Sequence, residues 1–198
     1  MGRIKGRRAE DTRQQVVDGA AEAFARHGYE GARVSDIAAV AGVSSGAMDN
    51  HFGSKADLLA AVVERHACDQ LDAWAEGDTS GGLLAMVQEH GAQLVEPQPG
   101  SALLVEVVAA ARRHPEVLAI LTHEAGSREE VLAQAIAAGQ EVDEVDPALD
   151  PHAVARFMFT VVLGAAVAQE AALPAVPADA WTTLLDRVIA ALRPEERP

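Results

Sequence analysis

An all-α protein is what this chain of 198 residues predicts, and three observations carry the prediction. The composition is rich in alanine and 49% hydrophobic with only 4% aromatic residues, which suits packed helices better than sheets of β-branched and aromatic strands. Apolar residues recur at i, i+3 and i+4 along most of the length, the period of a helix with one buried face. Between the periodic segments stand clusters of breakers: Gly77-Asp78-Thr79-Ser80-Gly81-Gly82, Glu96-Pro97-Gln98-Pro99-Gly100 and Leu173-Pro174-Ala175-Val176-Pro177. The pattern divides into a small head over residues 1–55 and a larger body over 56–198, with about nine helices in all.

Charge follows the same division. The net formal charge is −14, yet residues 1–55 hold 8 Lys/Arg against 7 Asp/Glu, while 56–198 hold 8 against 23. A near-neutral head with a basic tip can approach an anionic polymer if the acidic body stands several Debye lengths away. Cys68 is the only cysteine, so an intramolecular disulfide and a cysteine-based zinc cluster are both excluded. No run of 18 uncharged apolar residues occurs, and Met-Gly-Arg-Ile-Lys-Gly-Arg-Arg lacks the apolar segment of a signal peptide, so a cytoplasmic protein is expected.

Arg3, Lys5, Arg7 and Arg8 form a cationic arm without apolar periodicity, expected to lack regular structure until an anion binds it. A solvated tail and an arm reaching into a minor groove are both open to it. Thr12 and Gln15 form a capping pair, after which Val17, Ala20, Ala21 and Phe24 repeat at helical spacing until Gly28. A second helix is expected from Ser35 with Ile37, Ala38 and Ala41. Gly42 can take the positive φ that ends it, and Ser44 can cap a third. In that third helix Met48 and Phe52 share one face, leaving Ser45, Gly46, Asp49 and Asn50 on the other. A braced helix with small, polar outer residues can enter a DNA major groove about 12 Å wide. Ser54 and Asp57 then box the start of a helix from Lys55 to about Glu76, with Leu58, Leu59, Val62 and Val63 inward.

Phe24, Gly28-Tyr29, Asp36-Ile37-Ala38, Ala41-Gly42-Val43-Ser44, Gly46-Ala47 and His51-Phe52-Gly53-Ser54-Lys55 resemble, in order and spacing, the N-terminal domain of the tetracycline-repressor (TetR) family. The resemblance covers about the first 60 residues. It implies a homodimeric, ligand-responsive regulator, mostly a repressor, with a helix-turn-helix head and a larger C-terminal domain for ligand binding and dimerisation. By that resemblance Ser45, Gly46 and Ala47 lie nearest base edges, His51 and Lys55 contact phosphates, and Arg33 and Ser35 contact backbone or nearby bases. One position departs from it: Asp49 stands where the family usually has a tyrosine that bonds a phosphate. A carboxylate there repels phosphate, though Asp49 can accept from a cytosine amino group and Asn50 can pair with adenine.

In the body, Leu83 to Val95, Ala102 to Arg113, a helix from Pro115 to Gly139 with a break allowed at Gly126-Ser127, 151–171 and 178–192 are the expected helices. Val87, Leu104, Val107, Leu121, Phe157 and Met158 are candidates to line a cavity for an unknown small-molecule effector, or else belong to an ordinary core. So few aromatics argue against a stacking cage for flat cations. The small face of Val161, Gly164, Ala165 and Ala168 and the broad face of Trp181, Leu185, Val188 and Leu192 are candidates for a dimer seam, which would match a palindromic operator. An effector that tilts the Lys55 helix would change the spacing of two heads against half-sites about 34 Å apart.

Rival chemistry finds little support. Gly42-Val43-Ser44-Ser45-Gly46 fits the nucleophile-elbow pattern, but that pattern needs a strand before the serine and a helix is expected there, so no enzyme and no cofactor are predicted. His66 and Cys68 diverge on a helix, and His90, His114, His123 and His152 meet only if folding brings them together. A metal-sensing regulator, and a helical protein-interaction module whose head no longer binds DNA tightly, remain the alternatives.

Overall fold

The computed structural model describes residues 2–44, 46, 48, 51–76, 82–98 and 100–195, and for 2–11 and 66–76 the backbone alone. Eight helices occur among the described residues: α1 (Gly2–Gly31), α2 (Val34–Val40), α3 (Lys55–Glu76), α4 (Leu83–Gln93), α5 (Ser101–Ala111), α6 (Pro115–Glu141), α7 (Pro151–Glu170) and α8 (Ala178–Ala190). No strand occurs among them. The chain is all-α, as its composition and spacing require.

The helices gather into two compact units, Met1–Asp69 with Ala102–Glu124, and Gln70–Ser101 with Ala125–Pro198. The division expected at 55/56 follows chain order, whereas packing assigns the first part of α3, α5 and the start of α6 to the head. The reason is visible in the first core. Phe24, Ile37, Met48, Leu58, Leu59 and Val62 share one buried cluster with Leu103, Val107, Ala110 and Val117. A head of about 55 residues buries too little apolar surface by itself, and α5 with the start of α6 completes its core.

Helix α1 runs further back than expected. Residues 7–15 contain good helix formers and no proline, so the backbone is helical from Gly2 and Thr12 lies inside the helix rather than at its cap. The arm bearing Arg3, Lys5, Arg7 and Arg8 is therefore on helical backbone instead of irregular chain; its side chains lie outside the described residues. Gly28 ends the regular part, at φ 73 and ψ 166, and a short helical turn follows to Gly31. Helix α2 begins one residue before Ser35, with Arg33 in extended conformation at its cap.

In the second unit, Leu84, Leu132, Ile136, Val145, Val154, Met158 and Ile189 form the core, with Val87, Leu185 and Leu192 packed against it. Asp150 caps α7 by accepting from the Ala153 N–H at 2.8 Å, and Pro151 occupies the first helical position, where its missing donor costs nothing. Helix α7 is long and apolar enough by composition to cross a membrane, but Val154, Ala155, Met158 and Ala166 are buried in protein. Helix α6 passes through Gly126-Ser127 without a break. The Gln169 amide fixes the turn before α5: its oxygen accepts from Gln98 N (3.1 Å) and Ser101 Oγ (2.9 Å), while its nitrogen donates to the carbonyls of Leu94 (3.0 Å) and Glu96 (2.7 Å).

Candidate nucleic-acid interface

The corner between α2 and the segment 44–52 is built by backbone chemistry. Gly42 takes φ +68; its N–H bonds the Ala39 carbonyl at 3.2 Å, and the Val43 N–H reaches back to the Ala38 carbonyl at 3.0 Å. Those two bonds are a Schellman closure, which satisfies the last carbonyls of α2 and turns the chain sharply. The next segment opens with Met48 N–H on the Ser44 carbonyl (3.1 Å) and closes with His51 and Phe52 N–H groups on the Met48 carbonyl (2.9 and 3.0 Å). Met48 and Phe52 are buried, and Gly46 is exposed with no described heavy atom within 4 Å of where a Cβ would stand. Helix α1 approaches the corner closely as well, since a Cβ on Gly19 would meet the Ala41 N at 3.2 Å.

Of the residues expected to meet DNA, Arg33 and Ser35 are exposed at the start of α2, with Ser35 Oγ donating to Asp36 at 3.2 Å. His51 is half-buried, its ring 6.4 Å from that of Phe52. Ser45, Ala47, Asp49 and Asn50 lie outside the described residues. Lys55 has partners inside the head. Its ammonium donates to the carbonyls of Glu30 (3.4 Å) and Ala32 (3.2 Å) and sits 4.6 Å from the Tyr29 ring centroid. Carbonyls left over at the end of a helix attract a cation, and the ring face adds a second pull.

Around that ammonium lies a cluster the sequence did not disclose. Glu106 on α5 accepts from the Tyr29 N–H at 2.9 Å, beside the kink at Gly28. Arg113 donates to Glu30 at 2.8 Å, His114 stands 3.2 Å from the same oxygen and 3.4 Å from Glu116, and its ring meets Tyr29 edge-on at 5.0 Å. The Arg113 bond, aided by His114, holds the Glu30 carboxyl below its ordinary range. Burial, with Glu116 beside it, pushes the Tyr29 phenol up. The one available signal was Glu106 itself, a lone carboxylate in the apolar run Ser101–Ala111.

The candidate cavity residues divide between the two cores. Val107 belongs to the first cluster with Leu121 packed on it, while Met158 belongs to the second with Val87 packed on it. Leu104 is half-buried, and Phe157 is 49% exposed, so it lies outside both cores. The candidate seam also changes. Trp181 Nε1 donates to the Gly91 carbonyl at 2.8 Å, and Leu185 and Leu192 pack on the second core. The broad face of α8 is thus used within the chain, because α4 offers Gly91, whose Cβ would stand 2.8 Å from a Leu185 methyl. Val161, Ala165, Ala168 and Val188 are half-buried, while Gly164, Phe157, Val167 and Leu184 stay exposed. Among the described residues no group of three His, Cys, Asp or Glu is arranged to hold a metal ion.

A Schellman-closed corner leading to a segment braced by buried Met48 and Phe52, with Gly46 exposed, is that of a helix-turn-helix DNA-binding protein. The sequence profile of bacterial regulatory proteins, tetR family, matches residues 16–62, the stretch from the first core residues of α1 into α3. The A-factor receptor protein of Streptomyces griseus is 29% identical over 98% of this chain and 71% of its own. The transcriptional repressor AcnR of Corynebacterium glutamicum is 32% identical over 45% of this chain and 47% of its own. A TetR-family regulator from Rhodococcus sp. has the same fold, with a TM-score of 0.81, 24% identity and coverage of 93% of this chain and 99% of the other. Residues 16–62 are thus a DNA-binding domain of the TetR family type, and the chain has the fold of a TetR-family transcriptional regulator.

Proposed function

We propose that the chain acts as a homodimer that represses transcription from a palindromic operator and is released by a small molecule. The observation that carries this reading is the corner at Gly42, with Met48 and Phe52 buried beneath an open Gly46. Arg33, Ser35, Ser45, Gly46, Ala47, Asp49, Asn50 and His51 make up the proposed contact surface, and the residues of the arm follow the adjacent groove. Repression is supported by the name of AcnR and an effector-binding body by that of the A-factor receptor, which is similar over nearly the whole chain. The dimer is supported by the apolar side chains that α7, α8 and the turn between them leave in solvent: Phe157, Val167, Leu173, Val176 and Leu184. Gly164 lies on the same exposed face of α7 as Phe157 and Val167, which permits close helix approach. Effector binding is proposed for the second unit, with Val87 and Met158 as the side chains to vary first. A cytoplasmic location follows from this reading, since the duplex it would bind is there.

Duplexes from the region upstream of the chain's own gene provide the test. One of them should be retarded, with affinity falling steeply as salt rises, because every neutralised phosphate releases counterions. Sedimentation should give a dimer, and Phe157→Glu should give monomers that bind the duplex more weakly. Asp49→Asn should tighten binding to random-sequence duplex by about threefold through loss of one repulsive charge. A monomeric wild-type chain that ignores all upstream duplexes at low salt sinks the reading.

A further inference from the structure

Within the head, the described cations have different partners. Arg26 pairs with Glu22, Arg65 with Asp18 at 2.8 Å and Arg113 with Glu30 at 2.8 Å. Lys55 has three N–H donors, and its two carbonyl bonds and the Tyr29 ring engage the ammonium on the inward side. Arg112 lies at the turn between α5 and α6, distant from the reading segment in sequence, and Arg33, exposed at the cap of α2, already belongs to the proposed contact surface. Arg13 is different. It is exposed, has no ion pair among the described residues, and its guanidinium carbon sits 5.4 Å from the centroid of the Phe52 ring. Phe52 is the last residue of the reading segment and follows His51 directly.

A guanidinium over a ring is held through its charge and its flat face, which leaves the in-plane N–H fork available for a bidentate anion. Holding the group there in advance also lowers the entropy lost when a phosphate docks. Asp49 occupies the position of a phosphate-bonding tyrosine, so this head lacks one attraction that a second cation can restore. We infer that Arg13, and not Lys55, is the cation that this head sets against a backbone phosphate beside the reading segment. The inference rests on the DNA-binding reading above and refines it: Lys55 fastens the end of α1 to the start of α3, and Arg13 on α1 faces the polymer.

The two roles separate in a salt titration of the full chain on a short labelled duplex of random sequence. Arg13→Gln removes the charge at an exposed site, where substitution changes stability little. It should reduce the slope of log affinity against log salt by about 0.9 per bound head, the loss of one phosphate contact. Arg13→Lys should keep the slope. Lys55→Met should leave the slope at the wild-type value and lower the melting temperature by several degrees, as loss of a structural tie does. An unchanged slope in Arg13→Gln overturns the assignment, and so does any loss of slope in Lys55→Met. A wild-type chain that ignores duplex at low salt overturns the DNA-binding reading and this inference together, an outcome visible before any variant is compared.

Discussion

The two units use one device in opposite directions. In the head, Gly28 (φ 73, ψ 166) lets α1 kink, and Glu106 accepts from the N–H of the next residue, Tyr29. In the second unit, Gly82 (φ 84, ψ 172) leads into α4, and Glu144 accepts from the N–H groups of Leu83 (3.0 Å) and Leu84 (2.7 Å). Both glycines occupy a backbone region almost closed to other residues, and a Cβ on either would run into its glutamate. Yet Glu106 satisfies a single donor at a helix end, where the peptide dipoles oppose it. Glu144 satisfies two at a helix start, where they help. The same pair of residue types therefore stabilises a start more than it stabilises a stop.

Substituting the glycines tests whether the device matters at all. Gly28→Ala and Gly82→Ala should each destabilise by about 3 kcal/mol in urea unfolding, from backbone strain plus collision with the carboxylate. Next come the carboxylates, which test the asymmetry. Glu144→Gln should cost about 2 kcal/mol and Glu106→Gln about 1 kcal/mol, and equal losses would break the comparison. Trp181→Phe keeps the ring and drops the bond to Gly91, for an expected loss of about 1 kcal/mol in the same experiment. The smallest effect belongs to Glu30, an exposed residue whose ion pair is open to solvent. Its carboxyl titrates lower in the folded chain than its ordinary 4.5, chiefly because Arg113 bonds it, so the folded state binds the proton less readily than the unfolded one. That contribution is present above pH 4.5 and fades as pH falls through the lowered value. Stability measured along an acid series should therefore drop less steeply in Glu30→Gln than in the wild type.

The head was the legible half of the sequence. Gly42, Met48, Phe52 and the Ser54 cap, whose Oγ accepts the Asp57 N–H at 3.0 Å, are local features whose chemistry acts within a few residues. The start of helix α3 at Lys55 was readable because the Ser54 cap sets it. What the sequence hid depends on distant partners. Lys55 reads as a surface amine until the end of α1 and the residue that follows it bring carbonyls to it. The broad face of α8 reads as a seam until α4 presents Gly91 to Leu185. Periodicity reveals that a face is apolar and leaves open what covers it. For the same reason Val107, on a helix of the body in chain order, could not be assigned to the core of the head from its spacing.

The Gln169 amide has a practical corollary. Three of its four bonds end on main-chain atoms, so it holds the path of the turn at 94–101 and is indifferent to most of the side chains the turn carries. Glu96 and Pro97 point into solvent there. A dye attached through a cysteine at either position would report optically on the order of this turn against the end of α7, at side chains that the Gln169 bonds do not use.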